Sequence, residues 1–186
     1  MQLNVLPLPI ADVKLITTSR LTDARGYFCE AYVRSDFVAQ GLDCDFVQDN
    51  ESRSDRAGTV RGLHFQKPPF AQAKLVRVLR GKILDVVVDL RCSSPSFGRH
   101  LAVELGESGG EQLFVPAGFA HGFCTLEPDT VVLYKVDATY SPTHDHGINW
   151  ADPALAIRWP VAPEAATVSD KDRKLPMLGD LSPVFD

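Results

Sequence analysis

Residues 61–90 read RGLHFQKPPFAQAKLVRVLRGKILDVVVDL, and two β-strands stand out in the second half of that stretch. Lys74–Arg80 and Lys82–Leu90 are strand-like runs joined at Gly81, a pattern that predicts a central hairpin. A third run, Thr59–Phe65, lies just upstream and carries Arg61 and His64. Side chains alternate between the two faces of a strand. Lys74, Val76 and Val78 therefore share one face, and Ile83, Asp85, Val87 and Asp89 share another. A lysine on a mostly apolar strand, beside a strand with an arginine and a histidine, predicts charge on a buried sheet face. Such burial is costly unless something anionic sits against it. The stretch thus predicts a β-fold and, within it, a pocket for an anion.

The neighbouring segments extend the same pattern. Val13–Thr18 is expected as a strand, Thr22–Gly26 as a turn, and Tyr27–Val33 as another strand. Ser35–Gly41 suits a short helix with Ser35 as its N-cap. Phe46–Ser52 is strand-like and Ser54–Gly58 a polar turn. Beyond the Ser93–Gly98 loop, His100–Leu105, Gln112–Val115, His121–Leu126 and Val131–Val136 follow as short strands between turn signals. This spacing is that of a β-sandwich or barrel. From Tyr140 the chain reads as a largely irregular tail, with Ile157–Trp159 as one further strand. The expectation is one all-β domain over residues 1–186 with a few short helices.

Composition narrows the function. At 186 residues, 45% hydrophobic and 23% charged, the chain can bury a real core. A net charge of −5 argues against nucleic acid as a partner but leaves room for a local cationic pocket. Pro7, Pro9 and Asp12 interrupt anything resembling a signal peptide, and no apolar run reaches membrane-spanning length. Cys29, Cys44, Cys92 and Cys124 show no CxxC pairing, so free thiols are expected. The expected location is cytoplasmic, with no membrane partner.

Pro116-Ala117-Gly118-Phe119-Ala120-His121 is similar to the second signature of the cupin barrel, with Gly118 at a tight turn and His121 directed inward. The first signature normally supplies two histidines and a glutamate to a metal. Here the stretch is His64-Phe65-Gln66, and Lys74 follows where a ligand would be needed. A lysine cation repels a metal ion, so a metal-free cupin, a double-stranded β-helix without cofactor, is expected. An imidazole titrates near the pH where general bases work best. Lys74 and Arg61 can hold an oxyanion, and Tyr134 offers a phenolic proton. Together these groups suit proton abstraction next to a carbonyl through an enolate. Each alone also has a bland reading, as a structural histidine or a core tyrosine.

The order of motifs is itself distinctive. Arg25-Gly26-Tyr27-Phe28-Cys29-Glu30, Gln48-Asp49-Asn50, Arg61 to Gln66, Gln72 to Arg77, Pro116 to Phe123, Tyr134-Lys135, Tyr140-Ser141-Pro142, Trp150 to Pro153 and Ser169 to Asp172 occur in sequence. In this the chain resembles the dTDP-4-dehydrorhamnose 3,5-epimerase family of cupins. The resemblance implies inversion at carbons 3 and 5 of dTDP-4-dehydro-6-deoxy-D-glucose, giving dTDP-4-dehydro-L-rhamnose. It implies His64 as base oriented by Asp172, Tyr134 as acid, and Lys74 with Arg61 and His121 on the enolate oxygen. It makes Tyr140 the partner of the thymine ring. Gln48, Asp49, Asn50 and Lys171 become substrate contacts, as do Arg25, Phe28 and Glu30, with Arg25 and Glu30 supplied across a homodimer interface. Asp145 stands where the family usually carries glutamate, and Phe70 where relatives carry polar residues. His100, His144 and His146 are expected at the surface. Two other readings remain open: an epimerase of one carbon or a ketoisomerase on a related sugar, and a non-catalytic nucleotide-sugar-binding cupin.

Overall fold

The computed structural model describes residues 3–186, and in it the central run departs from the hairpin expectation. Strands β7 (Lys74–Arg80) and β8 (Lys82–Asp89) do not pair with each other. β7 pairs with β10 (Gln112–Val115) and β12 (Thr130–Val136), whereas β8 pairs with β9 (His100–Gly106) and β11 (Phe119–Thr125). At Gly81 the chain crosses from one sheet to the other. Its φ of +77° is in the region that favours glycine, and a Cβ there would meet Thr130 Oγ1 at 2.5 Å. Alternation reports which face a side chain occupies, not which strand lies alongside.

The two sheets are built by this crossover. One runs β1 (Leu3–Pro7), β2 (Lys14–Thr18), β10, β7, β12, β5 (Gln48–Ser54). The other runs β13 (Asp145–Gly147), β6 (Thr59–Gln66), β11, β8, β9, with β14 (Thr167–Val168) parallel to β6. Val76, Val78, Leu113, Val115 and Val132 from the first pack against Ile83, Val87, Leu105, Phe119 and Phe123 from the second. This is the cupin-like β fold, with only two short α-helices among the described residues, α1 (Arg34–Ala39) and α2 (Asp170–Arg173). No helix among the described residues is long and apolar enough to cross a membrane. The four cysteines are free, as their spacing predicts.

Five of the eight residues of β8 are apolar, and both of its faces are covered. Ile83 and Val87 face the space between the sheets, while Val86 and Val88 join a second cluster with Ile148, Trp150, Leu155 and Ala166. Those last residues come from the segment expected as an irregular tail. It is instead a packed layer that contributes β13, β14 and α2, although Ile157–Trp159 is not a strand. On the far side, α1 buries Phe37 against Ile16, Leu75 and Phe114. Its N-cap is Val33, not Ser35, and no side chain caps it. The expected strand over Tyr27–Val33 contracts to β4 (Gly26–Phe28), paired with β3 (Leu21–Asp23) in a hairpin apart from both sheets. β1 was not expected; it lies at the edge of its sheet, where the proline at its end, Pro7, is tolerated.

Candidate active site

A close approach between two strands builds the centre of the site. A Cβ on Gly62 would meet Gly122 Cα at 2.6 Å, and one on Gly122 would meet the Arg61 carbonyl oxygen at 2.5 Å. With both positions bare, β6 and β11 come together, and a register shift between His121 and Phe123 sets His64 opposite His121. Both imidazoles then line a cavity of about 490 Å³, together with Arg61, Lys74, Tyr134 and Asp172. A neighbouring cavity of about 340 Å³ is lined by Gln48, Asn50, Tyr140 and Asp145, and shares His64, Lys74, Tyr134 and Lys171 with the first.

His64 Nε2 lies 2.7 Å from Asp172 Oδ1. The other carboxylate oxygen of Asp172 accepts from the Gly62 backbone N–H at 3.1 Å. Ser169 caps α2 by accepting from the Asp172 N–H at 3.1 Å, which fixes the carboxylate from behind. Burial alone would push the Asp172 carboxyl up, but the bonds from His64, Gly62 and Ser169 hold it below the usual value. It is therefore an anion across the neutral range, suited to fixing the His64 tautomer and steadying its imidazolium.

A second carboxylate–imidazole pair stands beside it. Asp85, fully buried, places both oxygens 3.0 Å from His121 Nε2. Burial lowers the His121 pKa, against the pull of Asp85. Lys74 is also buried, with Nζ donating to the His64 carbonyl at 3.3 Å. Burial lowers its pKa to about 8, while Asp85 and Asp145 act in the opposite sense. Tyr134 is raised by burial, partly offset by Arg61, so the phenol keeps its proton. The positions of the two rings matter most: His64 belongs to the β6 sheet and Tyr134 to the β12 sheet. They stand on opposite walls of one cavity.

Tyr140 marks the outer end. Its backbone N–H donates to Gln48 Oε1 at 3.0 Å and its hydroxyl to Asp145 Oδ2 at 2.9 Å, and the same oxygen takes Lys171 Nζ. The shorter Asp145 is thus engaged by two side chains that line the pocket with it. Gln66 holds the adjacent loop, accepting from Ser141 N at 2.7 Å and donating to the Thr139 carbonyl.

Some expected residues are not brought here. Asp49 points out of the opposite face of β5 and pairs with Lys135 at 2.9 Å. Arg25, Phe28 and Glu30 are exposed on or just after the β3–β4 hairpin and line neither cavity, with Arg25 held by Asp23. His144 and His146, expected at the surface, are half-buried: His144 lies 4.7 Å from the Phe70 ring, and His146 stacks on Phe65. The sequence reading missed Ser52, Thr59, Ser169 and Asp85 as parts of the site. Among the described residues, no group of three or more His, Cys, Asp or Glu gathers in a way that could hold a metal ion.

The family model described as dTDP-4-dehydrorhamnose 3,5-epimerase matches residues 7–180. An enzyme of that name from Sinorhizobium fredii (strain NBRC 101917 / NGR234) is 51% identical over 178 residues, 96% of this chain and 91% of its own. The crystal structure of a dTDP-4-dehydrorhamnose 3,5-epimerase from Bacillus anthracis, with TDP and PPi bound, aligns at a TM-score of 0.92. It is 49% identical and covers 95% of this chain and 99% of that one. A dTDP-6-deoxy-D-glucose-3,5-epimerase from Legionella pneumophila, in complex with dTDP-4-keto-L-rhamnose, also aligns at 0.92. It is 37% identical over 97% of this chain and 95% of that one.

Proposed function

The chain belongs to the dTDP-4-dehydrorhamnose 3,5-epimerase family and is an isomerase of that specificity, and we propose that its two-walled cavity performs the inversion. The substrate is dTDP-4-dehydro-6-deoxy-D-glucose, epimerised at carbons 3 and 5. The single observation that carries the mechanism is that His64 and Tyr134 line one cavity from different sheets. His64 takes the proton from the carbon next to the ketone, and the electron pair moves into the carbon–carbon bond and onto the ketone oxygen. Lys74, with Arg61 and His121, holds that oxygen, a charge that develops only as the proton leaves. Tyr134 returns a proton to the opposite face, re-forming the ketone with inverted configuration. Solvent exchange then removes the proton from His64 and restores that of Tyr134.

The dTDP moiety is assigned to the outer cavity, with Tyr140 against the base and Gln48, Asn50 and Lys171 beside the diphosphate. We assign Arg25, Phe28 and Glu30 to the pocket of a second copy. Leu21 and Phe28 on their hairpin are 62% and 63% exposed, an apolar surface that suits a neighbour. Tyr134→Phe tests the mechanism. In D₂O this variant is expected to exchange the substrate's ring protons through His64 while producing almost no inverted product. Inversion at the wild-type rate would sink the assignment of Tyr134 as acid.

A further inference from the structure

β5 reads Gln-Asp-Asn-Glu-Ser-Arg-Ser and contains no apolar residue at all. Gln48, Asn50, Ser52 and Ser54 are the less exposed positions, and Asp49, Glu51 and Arg53 are exposed. A strand whose inward face is entirely polar must have polar partners there. Gln48 donates to Asn50 Oδ1 at 2.8 Å, and Ser54 Oγ accepts from Arg61 Nε at 3.2 Å. Ser52 is the exception. Its Oγ is buried without a hydrogen-bond partner, the only such side-chain atom among the described residues. An unpaired buried hydroxyl costs free energy that a plain alanine would avoid.

Ser52 lines the larger of the two site cavities with Arg61, His64 and Tyr134. It lies opposite Val132 on β12, while Asn50 lies opposite Tyr134, so Ser52 is one inward position along from the proposed acid. We propose that Ser52 is a specificity-determining residue that hydrogen-bonds the C2 hydroxyl of the substrate sugar. The inference rests on reading this cavity as the sugar site. Lys74 and His121 take the ketone oxygen and the outer cavity takes the diphosphate, which leaves the ring hydroxyls on C2 and C3. A serine hydroxyl both donates and accepts and so matches either. The C3 hydroxyl changes orientation when C3 inverts, whereas the C2 hydroxyl keeps its configuration throughout. An anchor that serves the whole reaction belongs on C2.

Ser52→Ala, compared with wild type on dTDP-4-keto-6-deoxyglucose and on its 2-deoxy counterpart, tests this. On the hydroxylated sugar kcat/KM should fall about tenfold, the scale of one lost hydrogen bond. On the 2-deoxy sugar the two proteins should agree within about twofold, because neither can make the bond. If the 2-deoxy compound binds without turnover, its inhibition constants are compared in the same way. Inhibition by dTDP alone and the thermal midpoint should not worsen. Equal losses on both sugars, no loss on either, or a lower thermal midpoint would overturn the proposal. A wild-type protein that turns over neither sugar would overturn the epimerase reading instead, and the inhibition constants would still report on Ser52.

Discussion

Lys74 is a cation buried in the wall of the site. Burial lowers its pKa to about 8, with Asp85 and Asp145 opposing the shift from two sides and His64, His121 and Tyr134 lining the same cavity. Its charged form is the one that stabilises an enolate, so the sign of the pH dependence follows directly. Turnover should decline as pH rises through about 8, because the lysine loses its proton and the oxyanion its cation. A rate profile flat from pH 7 to pH 9.5 would contradict that role, as would a Lys74→Met variant with turnover near wild type. At this scale the sequence was most informative where charge sat on an apolar strand. Lys74 and His64 stood out for that reason. Ser52 did not, because a polar strand such as β5 reads as surface, and Asp85 was visible only as a face position without its His121 partner.

Among the elements, β6 and β11 decide the catalytic geometry. Their approach depends on Gly62 and Gly122, which face each other where any side chain would collide with backbone. Gly122→Ala should force the strands apart, at a cost of about 1–3 kcal/mol in stability. Turnover should fall much further than dTDP affinity, since His64 shifts relative to Tyr134 while Gln48, Asn50 and Tyr140, on other elements, keep their places. Equal losses in turnover and nucleotide binding would instead indicate general unfolding. Outside β1, the β3–β4 hairpin and the C-terminal third, the strands were legible from alternation and turn residues. The crossover at Gly81 was not, because β7 and β8 look like a hairpin until their partners are known. The C-terminal layer was missed for a different reason. Ile148, Trp150, Leu155 and Ala166 cover β8 and β6 without any regular period, and two-residue β14 and four-residue α2 are too short to signal themselves. That layer nevertheless delivers Asp172 to His64.

For the whole molecule, the sheets supply opposite walls, the C-terminal layer orients the base, and the β3–β4 hairpin carries exposed aromatic residues that line neither cavity. If that hairpin completes a neighbour's pocket, Arg25→Ala and His64→Ala chains should each be poorly active alone. Refolded together in equal amounts they should recover up to about one quarter of wild-type activity, because half the dimers are hybrids with one intact site. No recovery, together with a fully active monomer by light scattering, would remove the shared site. The central claim is that one base and one acid, on opposite walls, invert two carbons flanking a single held oxygen. Proton NMR of wild type with dTDP-4-keto-6-deoxyglucose in D₂O tests it most directly. Deuterium is expected at both C3 and C5, one faster than the other, with inverted product accumulating and none formed by His64→Ala. Deuterium at one carbon only after long incubation, with the other proton retained, would contradict the account.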